Sequence, residues 1–413
     1  MSEKKDSRTV LQSADPFVDK VIPRRTFLKG AVGFAAVITA GGMLPSVVQG
    51  ASGQEAAPSQ AAPKYAYVGC YTSKERKGNG QGIKVYRIDP ATGDWTQIQL
   101  LEIFNPSFLT LDRQQRFLYS VHGDGTFITA FAIDQQTGLL TQLNQQPTGG
   151  KNSVHSTVDP TNKFLVVANY SSGAVAAFPI NEDGSLGAYS DLVPLPGDVG
   201  PNRFEQTLSH PHHIPFDLAG RFIVVPDKGL DKVFVFRLDT ANGKLIPNNP
   251  PWVKTRVGAG PRHVGFHPSK PYVYVINELD SSMTTYGYDP ERGELKPIQV
   301  LPALPTNFTG DSVCAEIAVA PSGKFVYGSN RGHDSVTIFA VDQANGTLST
   351  VGWEPTQGIT PRFITLHPSG DFLYAANQDS DKIVAFKVNK STGKLTPSGQ
   401  IINTGSPVCI IFR

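Results

Sequence analysis

Alternating apolar and polar positions dominate the chain from about residue 64 to its end. Short runs rich in β-branched and aromatic residues, such as 382–388, are followed by a turn of the form Asp/Asn-x-x-x-Gly or a shortened variant. Such runs are typical of strands, and turns of this kind join strands into hairpins. Long apolar runs with a helical period do not interrupt them. The pattern therefore predicts an all-β protein.

The Asp/Asn-to-Gly turn recurs seven times, and successive turn glycines lie 45 to 59 residues apart. This interval is typical of one four-stranded propeller blade. The copies are Asp89 to Gly93, Asp134 to Gly138, Asn181 to Gly184, Asp239 to Gly243, Asp289 to Gly293, Asp342 to Gly346 and Asn389 to Gly393.

A strand–turn–strand unit precedes each of these turns, as in Pro261 to Glu278 and Pro361 to Asn377. Six such pairs are complete, and the seventh is divided. Residues 65–71 supply only a second strand, and residues 406–413 supply only a first strand. The two ends of the chain should therefore share one blade, which closes the ring and leaves no open sheet edge. We predict a seven-bladed β-propeller over residues 64–413, with the closing blade shared between the N- and C-terminal strands.

The first 50 residues have the order of an export signal. The pair Arg24 and Arg25 precedes Phe-Leu-Lys, and an apolar run from Ala31 to Leu44 follows, too short to span a bilayer. Paired arginines in this setting resemble the twin-arginine signal, which exports folded proteins. We predict a signal peptide at 1–50, a flexible linker at 51–63, a periplasmic location, and the twin-arginine export machinery as a partner during secretion. A chance Arg-Arg before a buried helix is less favoured, because the run lacks an amphipathic period.

Composition and charge narrow the choice of partners. The chain has 37 Lys+Arg against 35 Asp+Glu, and since residues 1–50 carry +3, the remainder carries −1. A nearly neutral body lacks the positive field that nucleic acid or an anionic membrane requires, so neither nucleic acid nor stable membrane association is expected. The three cysteines, Cys70, Cys314 and Cys409, lie far apart in apolar segments. This favours buried free thiols over a disulfide framework or a zinc site.

Aligning the inner strands of the predicted blades places ionisable side chains on one rim of the central channel. Ionisable groups are costly to desolvate unless they have partners or bind a ligand. The starts of the inner strands carry His212, Arg262 and Arg362, followed in register by His155, His263 and Glu316, while the loops after the second strands carry Glu278, Arg331, His333 and Asn377. A hydrogen-bond network between blades would explain any one of these residues. The whole set favours a ligand site.

Other chemistries find little support in the sequence. It contains no Gly-x-Ser-x-Gly elbow, no His-Glu-x-x-His and no paired-cysteine spacing, so neither a metal nor a cofactor is expected. The glycine-rich segment 77–82 lies between two predicted strands with no helix after it. It is predicted to be a rim loop and not a phosphate-binding loop.

Several stretches of the chain resemble the lactonase family of seven-bladed propellers. They are "VANYSSGAV", "HPHHI" with "VVPDKGLDKV", "GAGPRHVGFHP" with "VYVINELDSS", "VYGSNRGHDSV" and "LYAANQDSDKIVAF". That family includes bacterial propeller-type 6-phosphogluconolactonases and is related to fungal carboxymuconate lactonising enzymes. The resemblance covers nearly all of residues 64–413. It implies catalytic roles for His212, Arg262, Glu278 and Arg331, which the register also places on the rim.

The expected activity is hydrolysis of a sugar lactone. Glu278 or His212 would take a proton from the attacking water, and Arg262 with Arg331 would stabilise the oxyanion. The predicted substrate-binding residues are His155, His263, Glu316, His333, Arg362 and Asn377. The resemblance implies a 6-phosphogluconolactone, whereas an unphosphorylated aldonolactone fits an exported enzyme better. A muconate-type cycloisomerase and a non-catalytic periplasmic propeller that binds a ligand are the alternatives.

Overall fold

The computed structural model describes residues 63–413, which fold into seven antiparallel sheets. The predicted signal at 1–50 and the linker at 51–63, except for Pro63, lie outside the described residues. Apart from strands there are three short 3₁₀ turns, Lys74–Arg76, Tyr170–Ser172 and Gln378–Ser380. Within residues 63–413, no helix has the length and apolar character needed to cross a membrane. The predicted seven-bladed all-β propeller is confirmed.

The strands are numbered in chain order and grouped by blade. Blade 1 contains β27 (Pro407–Phe412), β1 (Tyr65–Cys70), β2 (Gly82–Ile88) and β3 (Trp95–Glu102). Blade 2 contains β4 (Pro106–Leu111), β5 (Phe117–His122), β6 (Phe127–Ile133) and β7 (Leu140–Pro147). Blade 3 contains β8 (Ser153–Val158), β9 (Phe164–Asn169), β10 (Ala174–Pro179) and β11 (Asp191–Pro194). Blade 4 contains β12 (Ile223–Asp227), β13 (Lys232–Asp239) and β14 (Lys244–Lys254).

The last three blades are regular and four-stranded. Blade 5 contains β15 (Pro261–Phe266), β16 (Tyr272–Asn277), β17 (Ser282–Asp289) and β18 (Glu294–Pro302). Blade 6 contains β19 (Val313–Val319), β20 (Phe325–Arg331), β21 (Ser335–Val341) and β22 (Leu348–Pro355). Blade 7 contains β23 (Pro361–Leu366), β24 (Phe372–Asn377), β25 (Lys382–Val388) and β26 (Leu395–Asn403).

Blade 1 joins the two ends of the propeller sequence. Strand β1 pairs antiparallel with β27, so that Tyr67 lies opposite Ile411 and Gly69 opposite Cys409. All six residues of β1 are buried. The predicted sharing of the closing blade is therefore confirmed, and the ring is closed by backbone hydrogen bonds between strands from opposite ends of the sequence.

The inner edge of blade 4 departs from the prediction of six complete strand pairs. The segment that should form its first strand makes only isolated bridges, Pro211 to Asp227 and Phe216 to Ile223. Pro211 and Pro215 have no N–H to donate, which prevents a continuous ladder. Five pairs are regular, and in blade 4 His212 N still donates to Pro226 O at 3.0 Å.

The turn glycines also form the contacts between blades. Gly138 has φ +72°, and a Cβ on it would lie 2.6 Å from the ring of Tyr65 in the neighbouring blade. The same blade contact is reinforced by Tyr67, whose hydroxyl donates to Gly138 O at 2.9 Å. A side chain at this position would therefore meet both backbone strain and a clash with the ring. The repeated turn sets the spacing of the blades as well as connecting strands.

Most inner strands carry a bulge at their second residue. The pairing register shifts between Pro261 and His263 and between Pro361 and Phe363, which leaves Arg262 and Arg362 without a direct partner. Matching shifts occur in blades 2 and 3. A bulge redirects a side chain from the sheet face. Here the bulged residues line the space at the centre of the ring.

Candidate active site

A pocket of about 220 Å³ lies at the rim where the inner strands begin. Six of the seven blades, or the loops beside them, contribute to its walls. The lining residues are Arg76, Asn152, Val154, Tyr170, Glu205, His212, Lys228, Glu278, Arg331 and Arg362. A narrower cavity of about 20 Å³ continues along the channel and shares Val154, His212 and Arg362 with the pocket.

Glu278 lies between three cationic side chains. Its Oε2 is 3.0 Å from Arg262 Nε and 3.2 Å from Arg331 Nη2, and its Oε1 accepts a hydrogen bond from Lys228 Nζ at 3.0 Å. The Arg262 Nε contact is an ion pair without hydrogen-bond alignment. Burial alone would raise the pKa of Glu278, but Arg331, Lys228 and Arg262 hold it well below its usual range. The residue therefore remains a carboxylate that fixes the position of the cations.

The two arginines that contact Glu278 are also anchored to one strand. Arg262 Nη1 donates to Ala315 O at 2.5 Å, and Arg331 Nη2 donates to Cys314 O at 2.9 Å, both carbonyls of β19. Burial lowers the pKa of Arg262 to about 10, which still leaves it charged at neutral pH. Each guanidinium is therefore held rigidly, as electrostatic stabilisation of a developing charge requires.

His212 occupies the wall between the pocket and the narrow cavity. Its Nδ1 is 3.1 Å from His263 Nε2, and His263 Nδ1 is 2.8 Å from Glu316 Oε1. Within residues 63–413 its Nε2 has no hydrogen-bond partner. Burial, together with Arg262 and His263, lowers the pKa of His212 well below its usual value. The ring is therefore neutral at physiological pH.

Arg362 differs from the other cations of the pocket because its charge is uncompensated. Its guanidinium lies over the ring of Tyr71, 5.4 Å from the centroid, and makes no hydrogen bond or ion pair within the described part of the chain. Arg76 approaches the same ring at 5.3 Å but pairs with Asp124. Arg362 is thus available to an anionic or hydroxyl group in the pocket.

The structure brings most of the predicted site residues together. His212, Glu278, Arg331 and Arg362 line the pocket, and Arg262, His263 and Glu316 line the narrow cavity that continues from it. His155 lies outside both linings. Its ring packs 4.0 Å from that of His213, and its Nδ1 accepts a hydrogen bond from Ile214 N.

Two further predicted substrate-binding residues, His333 and Asn377, also lie outside the lining of the pocket. Asn377 is fully buried, and its amide donates to Thr356 O at 3.1 Å, which ties the end of β24 to the preceding loop. His333 Nδ1 is 2.6 Å from Ser335 Oγ, and its ring packs on Phe308. Both residues were predicted because they lie near the rim in the aligned sequence. That alignment does not show whether a side chain bonds to its own blade or faces the channel.

The sequence prediction omitted several residues that the structure places in the pocket. Lys228 follows β12 as Glu278 follows β16, so the register signal was present. Arg76 also follows a second strand, in the loop between β1 and β2. Glu205, which contacts Lys228 Nζ at 2.6 Å, comes from the long segment between β11 and β12, where the repeat gives no guide to its position.

Across residues 63–413 there is no group of three or more His, Cys, Asp and Glu side chains arranged to hold a metal ion. Cys70, Cys314 and Cys409 are all buried and free.

The seven-bladed ring has counterparts among known proteins. The family model described as Lactonase, 7-bladed beta-propeller, matches residues 65–412. The chain belongs to this lactonase family. The predicted family and enzyme class, a lactonase among the carboxylic ester hydrolases, are thereby confirmed.

Individual members of the family are similar over most of their length. A 6-phosphogluconolactonase of Bacillus subtilis is 36% identical over 300 residues, which is 72% of this chain and 83% of that protein. A candidate 6-phosphogluconolactonase from Bacteroides fragilis has a crystal structure that superposes with a TM-score of 0.79 at 33% identity, covering 87% of this chain and 100% of its own. The periplasmic gluconolactonase of Pseudomonas aeruginosa gives a TM-score of 0.77 at 30% identity, covering 84% and 98%.

Proposed function

We propose that this protein hydrolyses a sugar lactone in the rim pocket. The observation that carries the proposal is the arrangement of His212, neutral and with a free Nε2, beside arginines that Glu278 and the carbonyls of β19 hold in place. A base and fixed positive charges are the two elements that water attack on a lactone carbonyl requires.

We assign the role of base to His212. Glu278 is a poor proton acceptor, because three cations stabilise its carboxylate and hold its pKa low. His212 is deprotonated at neutral pH and faces the pocket through its free nitrogen. In this scheme Glu278 keeps Arg262 and Arg331 at fixed distances and takes no proton.

The oxyanion would be stabilised by the arginine pair. Arg331 lines the pocket and Arg262 lines the narrow cavity, and His212 belongs to the walls of both. Removing one such donor from a preorganised site typically lowers kcat by about 10²- to 10³-fold. When the tetrahedral intermediate collapses, the ring oxygen leaves and takes the proton back from His212.

The charge of the pocket bears on the substrate. Four cationic and two anionic side chains line it, and Arg362 is the cation without a partner among residues 63–413. An anionic substituent on the lactone would therefore bind well. An exported location would favour an unphosphorylated aldonolactone as the natural substrate, because sugar phosphates belong to cytoplasmic metabolism.

Export is part of the proposal. The paired arginines and short apolar run in residues 1–50 support passage through the twin-arginine system, and the similar P. aeruginosa protein is named as periplasmic. Folding before export would also bury the three thiols before they reach an oxidising compartment.

Lactone turnover by the purified protein tests the proposal. Proton release near neutral pH would be followed with glucono-1,5-lactone and with its 6-phosphate, after subtraction of the uncatalysed rate. Arg331→Met is the site variant. Arg292→Met, which changes an exposed arginine paired with Glu294, is the matched control.

Turnover that falls by roughly 10²-fold or more in Arg331→Met and stays unchanged in Arg292→Met would support the proposal. If neither lactone is hydrolysed faster than in buffer, the proposal fails. Conversion of a muconate would then favour the cycloisomerase, and lactone binding without turnover would favour the non-catalytic binding propeller.

A further inference from the structure

Three buried side chains form a continuous hydrogen-bonded chain away from the pocket. His212 lies at the pocket wall, His263 lies 3.1 Å beyond it, and Glu316 lies 2.8 Å beyond His263. Each is at most 6% exposed. The carboxyl oxygen that meets His263 also accepts a hydrogen bond from Ile317 N at 3.0 Å. The mechanism above uses only the first of these three residues.

The protonation state of Glu316 determines the protonated nitrogen of each ring in this chain. When Glu316 is a carboxylate, His263 Nδ1 must donate to it, so His263 Nε2 must accept from His212 Nδ1. His212 Nε2 then carries a lone pair. When Glu316 is protonated and donates, every hydrogen bond reverses, and His212 Nε2 carries a hydrogen. The protonation state of Glu316 therefore determines whether His212 Nε2 can act as a base.

Glu316 lies between two cavities of the central channel. Together with Phe108 and Phe363 it lines both the narrow cavity next to the pocket and a second cavity of about 380 Å³. The narrow cavity has room for about one water. Glu316 thus has access to a space that a substrate in the rim pocket does not occupy.

We propose that Glu316 and His263 form a proton relay that makes His212 Nε2 a base and holds the proton of the attacking water during lactone hydrolysis. Glu316 and His263 are positioning residues, since neither needs to touch the substrate. This inference rests on the proposed lactonase function and assigns two further residues to it.

The proton balance closes within one turnover. Water forms the new C–O bond and gives a proton to His212 Nε2, the hydrogen of His212 Nδ1 moves to His263 Nε2, and that of His263 Nδ1 moves to Glu316. The ring C–O bond then breaks, the leaving alkoxide takes the proton of His212 Nε2, and the other two transfers reverse. The product carboxylic acid loses its own proton to solvent, so the enzyme is returned to its starting state.

The electrostatic environment supports Glu316 as the place where the proton rests. The charged or titratable groups facing it are Arg262 and His263 from β15, His213 from blade 4, Arg362 from β23 and Cys409 from β27. Burial raises the pKa of Glu316 to about 7, against the lowering effect of Arg262 and His213. Burial and Arg262 lower the pKa of His212 well below its usual value. A proton in this chain is therefore more stable on Glu316 than on His212.

The kinetic test is Glu316→Gln in the full-length protein. The amide oxygen can still accept from Ile317 N and His263, so the contacts survive, but the group no longer takes up a proton. We expect kcat to fall at least about tenfold with KM little changed, because the substrate is not touched. We also expect the wild-type rise in kcat with pH near 7 to disappear.

His213→Asn is the matched control. His213 stacks on His263 with ring centroids 4.2 Å apart, but it is not part of the hydrogen-bonded series from His212 to Glu316. Its Nδ1 accepts a hydrogen bond from Val264 N instead. Asn can accept the same hydrogen bond. The control should keep kcat within a few-fold and retain a rise of kcat with pH, displaced to higher pH because His213 lowers the pKa of Glu316. An equal loss of kcat in both variants, or an unchanged pH profile in Glu316→Gln, would overturn the relay.

A second measurement is independent of turnover and of variant folding. Nitrogen-15 spectra of the histidine-labelled wild-type protein report which ring nitrogen carries hydrogen. We expect His212 Nε2 to be unprotonated above about pH 7 and to gain hydrogen as Glu316 protonates. A nitrogen that keeps its hydrogen throughout would overturn the relay. The expected spectra together with no lactone turnover would support the coupling of His212 Nε2 to Glu316 and reject its proposed use in lactone hydrolysis.

Discussion

Arg262 and Arg331 lie on neighbouring blades and approach the same oxygen of Glu278, at 3.0 and 3.2 Å. Like charges so close together repel, and the shared carboxylate offsets that repulsion. The carbonyls of Ala315 and Cys314 hold the far side of each guanidinium. Neither arginine can reorient alone without losing a buried contact, so the pair is a rigid source of positive potential.

Glu278→Gln should cost both stability and activity. The change leaves Lys228, Arg262 and Arg331 without their shared countercharge, and breaking a buried ion pair typically costs about 3–5 kcal/mol. The free energy of unfolding, measured with urea, should fall by about that amount. Glu205→Gln is the comparison, because Glu205 is 50% exposed and its pairing with Lys228 should contribute less than about 1 kcal/mol. Equal losses in the two variants would contradict this account of Glu278.

Arg362→Gln should change the preference between substrates. Because its guanidinium has no ionic partner in residues 63–413, its charge is free to pair with a substituent of the lactone. A hydrogen bond to a charged group contributes about 1.5–3 kcal/mol. We expect KM for the 6-phosphate to rise about 10- to 100-fold and KM for glucono-1,5-lactone to change little. A similar rise for both lactones would show that Arg362 does not contact the phosphate.

Stability should fall as the pH drops below about 6.5. Burial lowers the pKa of His122 to about 4, and it holds those of His155, His212, His213 and His263 well below their usual value. The unfolded chain binds protons at these histidines first, so each contributes a loss of up to about 1.4 kcal/mol per pH unit. Glu316 acts in the opposite direction, since its folded pKa of about 7 is raised, but it is one group against five.

Denaturant unfolding at a series of pH values measures this dependence. The free energy of unfolding should be nearly constant just above pH 7 and should decline steadily toward pH 4. A flat profile over this range would mean that the buried histidines are charged in the native state, contrary to the burial seen here.

The three thiols should be inert in the native protein. Burial raises the pKa of Cys70 to about 11 and that of Cys314 to about 12, and the pKa of Cys409 is raised further. Thiolates are the reactive form, and these side chains are also inaccessible. A thiol reagent should label none of them before unfolding and all three after unfolding in denaturant. Labelling of any one in native buffer would contradict the packing of its strand.

The sequence predicted the fold because the fold follows from repetition, and the same repetition led to the residues that the structure gathers around the rim pocket. Seven evenly spaced turns define the blades, and the inner strands share a register in which Arg262 and Arg362 occupy equivalent bulged positions. The sequence did not predict that the first strand of blade 4 is irregular, because the apolar pattern of this segment resembles that of the regular inner strands. The prolines in it leave that pattern unchanged, but they have no N–H group for pairing with β12.

The position of Asn377 outside the pocket lining and the omission of Glu205 from the predicted site have opposite causes. Asn169, Asn277, Asn330 and Asn377 each lie at or near the end of a second strand, and all are fully buried. A buried asparagine that recurs at the same place in several blades stabilises the fold of each blade. This recurrence is visible in the sequence and indicates a structural role. Glu205 belongs to a loop found in one blade only, where its place in the pocket depends on the three-dimensional path of the chain.

The pairing of β1 with β27 determines when the protein can complete its fold during synthesis. The partners of Tyr67 and Gly69 lie about 340 residues downstream, so they are synthesised long after β1. Contacts this distant in sequence form slowly, because a long loop must close first. The rim pocket draws on blades all around the ring, so it should not exist on the nascent chain. Catalytic competence would then appear only after β27 has been synthesised and has paired with β1.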